Sequence, residues 1–120
     1  MDHYANGLEI KAVVRGFEKC TTAKEAFTHR QHLTVAVWYL YHSNEEQALK
    51  SMRSGLLRFL SHHGVAQGKY KEGLTVSWLK LVRTTIDEMD SNLALLEITN
   101  NVLDRLSDSS AVSNASKTGV

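Results

Sequence analysis

No proline interrupts any of the 120 residues, and apolar side chains recur at helical spacing through most of them. Average usage of roughly 5% would have placed about six prolines in such a chain. Without them no helix is broken by a locked φ or a missing N–H. Turns fall instead to glycine and to side-chain caps, and the chain reads as all-α.

The periodicity predicts a first helix from about Leu8 to Lys19, with Leu8, Ala12, Val13 and Phe17 on one stripe. Thr22–Glu25, Thr28–Gln31 and Ser43–Glu46 each have the spacing of a capping box. The first marks a short helical turn before a sharp bend at Phe27. The second opens a helix from Thr28 to His42, with Leu33, Ala36, Val37 and Leu40 inward. The run Leu33 to Tyr41 is also rich in β-branched and aromatic residues, which favour strands. A cap before it and another after it decide for helix. The third box opens a helix to about His63, with Ala48, Met52, Leu56, Phe59 and Leu60 on one face. Gly64 then stands where a left-handed residue ends a helix.

A fourth helix is expected over Lys71–Glu88, its stripe running Leu74, Trp78, Leu81, Val82, Thr85, Ile86 and Met89. A fifth, capped by Asp90 or Ser91, reaches Leu106 through Leu95, Ile98 and Val102. Residues 107–120 are polar and lack periodicity, so a disordered tail is expected. These features predict a single helical domain over 1–106, a four- to five-helix bundle.

Charge narrows the function classes. Fourteen basic residues face 13 acidic ones, a net charge of +1, without the basic stripe of a nucleic-acid binder. No apolar run approaches the roughly 18 residues of a membrane span. The first residues have neither a basic nor an apolar region of a signal peptide. The single cysteine, Cys20, cannot form an internal disulfide. These features point to the cytoplasm, with no nucleic-acid or membrane partner.

Chemistry gathers near the second and fourth helices. His29 and His32 are three apart, which puts both imidazoles on one helical face. Neutral imidazole is a common metal ligand, and His29 also continues the apolar stripe inward. Tyr70 and Glu72 stand at the start of the fourth helix, followed by Thr75 and Trp78. If the bundle brings these segments together, His29, His32 and Glu72 form a ligand or acid–base set. His63 is a further candidate ligand from the third helix. His and carboxylate ligands would suit zinc, iron or manganese. The competing expectation is that these histidines only tie helices together. Glu72 would then serve the helix dipole.

Phe27-Thr-His-Arg-Gln-His-Leu33, Ala36 to Leu40, Gly55 to Phe59, and Tyr70 to Thr75 with Trp78 resemble a family of small, uncharacterised bacterial helical proteins. The likeness covers approximately residues 14–82. It implies that the histidines and the Tyr-x-Glu-x-x-Thr-x-x-Trp run belong to one site. The chain departs from the pattern at Lys71, where the family commonly has histidine, and at Gly73, where it often has threonine. The functional expectation is a small-ligand or metal-binding protein, with acid–base or hydrolytic chemistry if it is an enzyme. The catalytic candidates are His29, His32 and Glu72, and Tyr70, Thr75 and Trp78 shape the pocket. The alternative is a non-catalytic interaction module, a homodimer with structural histidines.

Overall fold

The computed structural model describes residues 3–107. They form five α-helices, and no strand occurs among them: α1 Gly7–Glu18, α2 His29–His42, α3 Glu45–His62, α4 Glu72–Asp87 and α5 Leu95–Leu106. Short 3-10 turns occupy Lys24–Ala26 and Gln67–Lys69. Except for Ser107, the tail expected over 107–120 lies outside the described residues.

Helix α2 runs through the middle. The other four form a ring around it in the spatial order α1, α3, α4, α5. This explains the strand-like composition of α2. Leu33, Thr34, Val35, Ala36, Val37 and Leu40 are all buried, so the helix has apolar contacts on nearly every side rather than one stripe. β-Branched residues cost helix propensity, but burial against four neighbours outweighs a few tenths of a kcal/mol each.

Local signals set some helix ends and not others. The Thr28–Gln31 box forms, and the Gln31 carbonyl accepts the Thr28 backbone N–H at 3.2 Å. The Thr22–Glu25 box does not, because the turn starts after Ala23 without a side-chain cap. The third box shifts by one residue. Asn44 caps α3 by accepting from the Gln47 N–H at 2.8 Å, while Ser43 donates to the Tyr39 carbonyl at 2.6 Å and closes α2 instead. Asp90 does not cap α5. It accepts from the Asn92 N–H at 2.9 Å in a local turn, and α5 starts after Ala94. The stripe of α1 is rotated from the expected one. Ile10, Val14 and Phe17 are buried, whereas Leu8 is 77% exposed.

Gly64 (φ 68°) ends α3 as expected, with the Gly64 N–H on the Ser61 carbonyl and the Val65 N–H on the Leu60 carbonyl. The same pattern ends α1, but there the left-handed residue is Cys20 at φ 59°. A non-glycine residue carries a steric penalty there. The buried Cys20 side chain offsets it through packing.

Three threonines in the core, Thr34, Thr85 and Thr99, each donate to the carbonyl four residues back at 2.8 Å. Each hydroxyl is thereby satisfied within its own helix. The segment before α1 is pinned by Tyr4. Its N–H and carbonyl pair with the Asn100 side chain at 2.9 and 3.1 Å, and its hydroxyl meets Thr34 at 2.8 Å.

Candidate functional site

The first half of α2, the middle of α3 and the first half of α4 do not close completely on one another. They leave a cavity of about 160 Å³ that opens to solvent. Helix α2 contributes His29, His32, Leu33 and Ala36, and α3 contributes Met52 and Leu56. From α4 come Leu74, Thr75, Trp78, Leu79 and Val82. The walls are therefore apolar, with His29, His32 and Thr75 as the polar exceptions besides the indole N–H of Trp78. Leu74 is partly exposed, whereas Leu33, Ala36, Leu79 and Val82 also belong to the hydrophobic core.

His29 occupies the first turn of α2, and its Nε2 donates to the Leu106 carbonyl at 2.8 Å. That carbonyl ends α5, where the helix leaves its last acceptors unpaired. The imidazole thus ties the centre of the bundle to α5. Its ring also packs on Trp78, with centroids 4.8 Å apart.

His32 lies one turn further on, its ring 4.4 Å from that of Phe27. It keeps part of its surface in water while protein crowds the rest. That crowding is the main reason its pKa falls to about 4. The Thr28 carbonyl acts in the opposite direction, and nearby His29 lowers the pKa further. The ring is neutral at physiological pH.

The consequence for stability has a definite sign. Folded protein resists protonation of His32 down to about pH 4, while the unfolded chain takes up that proton near the ordinary 6.5. Between these values the unfolded state binds more protons, so this group makes stability fall as pH drops. Denaturant titrations of wild type and His32→Gln at pH 4.5 and 7 are expected to show a smaller pH difference in the variant. Equal differences would mean that His32 is not desolvated.

Glu72 is placed differently from the expectation. It does not line the cavity. Both carboxylate oxygens bond to Arg53 of α3, Oε1 to Nε at 2.9 Å and Oε2 to Nη2. The Tyr70 hydroxyl also donates to Oε1, at 2.5 Å. Arg53 first, then Tyr70, hold the Glu72 carboxyl well below its usual range, at about 2. Such a carboxylate is a weak proton acceptor, and its lone pairs are engaged. The general-base role expected of Glu72 is thus at odds with its surroundings, where it clamps the start of α4 to α3. Tyr70 belongs to that clamp too, and burial followed by the Glu72 bond raises its pKa.

His63 is also apart from the cavity. It follows the last turn of α3, packed 4.4 Å from Phe59 and 5.0 Å from His62 between ring centroids. Its Nε2 is buried without a hydrogen-bond partner among the described residues. The middle of α3, through Met52 and Leu56, faces the starts of α2 and α4, whereas the end of α3 with His63 does not line the cavity.

Among the described residues no three His, Cys, Asp or Glu side chains are grouped so as to hold a metal ion. The expected zinc, iron or manganese set of His29, His32, Glu72 and His63 is therefore not assembled. Each member is drawn elsewhere, to the Leu106 carbonyl, the Phe27 ring, Arg53 and Phe59 respectively.

The structure does bring together His29, His32, Thr75 and Trp78, four of the residues singled out from sequence. Reading the sequence missed the apolar walls as walls. A stripe marks a residue as inward but does not say whether its neighbours fill the space. It also missed Arg53, because no periodicity links it to a carboxylate on another helix. No protein-family model, curated protein or solved structure matches the chain. No helix among the described residues is long and apolar enough to cross a membrane.

Proposed function

We propose that this protein binds a small, mostly apolar molecule in the cavity between α2, α3 and α4. One observation carries the reading: an open space of about 160 Å³ walled by core side chains, with its few polar groups at His29, His32, Thr75 and Trp78. Protein interiors are close-packed as a rule, so an unfilled space beside such groups is one that binding would explain. Its size suits one ring or a short chain, since an apolar cavity of roughly 150 Å³ takes up benzene. The proposed compartment is the cytoplasm, on the strength of the single free cysteine.

A thermal-shift screen of small neutral aromatic and aliphatic compounds tests this reading. A bound compound at about 100 times its Kd adds roughly 2.7 kcal/mol of stability. Ala36→Leu would place three more carbons in the cavity. The variant is expected to fold, to melt at or above the wild-type temperature, and to lose the shift. A variant that retains the full shift would put the site elsewhere.

The second reading is a non-catalytic module, a homodimer whose histidines tie helices together. The His29 bond to the end of α5 favours it for that one side chain. The two readings are compatible there, because His29 both ties α2 to α5 and borders the cavity.

A further inference from the structure

Among the described residues the walls of the cavity carry no Asp, Glu, Lys or Arg side chain. A charged ligand would lose its hydration there without gaining a counter-ion. The polar groups that remain are unevenly divided between donors and acceptors. The Nε2 of His29 must carry its proton, because the Leu106 carbonyl it meets can only accept. In the neutral ring Nδ1 is then a bare acceptor. His32 is neutral at pH 8, so one of its two ring nitrogens is an acceptor. The Thr75 hydroxyl donates to the Lys71 carbonyl at 3.0 Å, so its proton is engaged and Oγ1 offers lone pairs.

His29, His32 and Thr75 therefore each have an acceptor to offer a ligand in the cavity. Among the described residues the one uncommitted side-chain donor on the walls is the indole N–H of Trp78. A hydroxyl suits this division, because it donates one hydrogen bond and accepts another. A carboxylate is all acceptor and would face bare lone pairs. A hydrocarbon would leave the polar groups dry and unpaired.

We infer that the ligand is an uncharged, single-ring-sized phenol or small alcohol whose hydroxyl donates to the His29, His32 and Thr75 side of the cavity. This rests on the cavity reading above, and it adds the chemistry of the ligand. No hydroxyl-bearing molecule needs to react here.

Calorimetric titration of the full chain at pH 8 with p-cresol, p-xylene and p-toluate tests the inference. The first two have nearly the same shape, with a methyl group in place of the hydroxyl. One net hydrogen bond is worth about 1 kcal/mol and sparing the acceptors adds to it, so p-cresol is expected to bind roughly tenfold more tightly than p-xylene. The p-toluate anion is expected to bind most weakly. Thr75→Val and His32→Phe remove one acceptor each, and at least one of them is expected to cut the p-cresol preference to about threefold or less. Equal binding of p-cresol and p-xylene, or tightest binding of p-toluate, would overturn the inference while leaving a binding cavity in place. A p-cresol preference unchanged in both variants would place the hydroxyl elsewhere and overturn it too. If none of the three binds, the cavity reading falls and takes this inference with it.

Discussion

Gly55→Ala is expected to destabilise the fold by about 1–3 kcal/mol, although alanine is the better helix former. Gly55 is buried in α3 against the Phe17 ring, and an added Cβ would lie 2.5 Å from Phe17 Cε2 and 2.6 Å from Cζ. Real carbon atoms do not approach so closely, so something must move. The ring has little freedom to do so. Phe17 is fully buried, stacked on Phe27 at 4.7 Å, and 5.8 Å from Phe59. Phe27 in turn lies 5.1 Å from Phe59, so the three rings form one packed set. Gly73→Ala is the control. It lies in the first turn of α4 with nothing within 4 Å of an added Cβ. Alanine there is expected to stabilise by about 0.5–1 kcal/mol through helix propensity alone. Chemical denaturation of the two variants should move in opposite directions. If Gly55→Ala also gains stability, Phe17 does not hold the position described.

Leu79→Ala is expected to cost about 3–5 kcal/mol, at the upper end of the range for such truncations. Leu79 is 2% exposed and forms part of the cavity wall. Truncation there would not open a new void for neighbours to fill. It would enlarge an existing one whose walls are helices held in place by the ring around α2. Such a site relaxes poorly, and the penalty grows with the residual volume. The larger cavity should also take up a small apolar probe. Benzene is expected to raise the melting temperature of the variant more than that of wild type. A loss below about 1 kcal/mol, or no rescue by benzene, would mean that the wall collapses and that the cavity is not rigid.

Much of the bundle was legible locally. The helices begin and end within a few residues of where caps, glycines and periodicity put them, because these signals act over one or two turns. The errors are also local in cause. Ser43 and Asn44 are both good caps, and only the geometry of the turn decides between them. Asp90 is a cap by composition, but its carboxylate is used two residues on. Leu8 matched a helical stripe that the packing of α1 rotated away.

The site was legible in part for a different reason. The spacing of His29 and His32, and of Thr75 and Trp78, places each pair on one face of its helix. Covalent geometry guarantees that. Where Glu72 points depends on Arg53, which lies on another helix and carries no mark of the pairing in the sequence. The pairing turned an expected base or ligand into a clamp.

The sequence by itself determined the fold class and the approximate span of each helix, since periodicity, absent prolines and caps operate within each segment. Tertiary structure alone decided that α2 is the central helix. It also decided that His29 ends on the Leu106 carbonyl, and that α2, α3 and α4 leave a gap between them. Those outcomes depend on how side chains from separate helices fill shared space, which no single segment encodes.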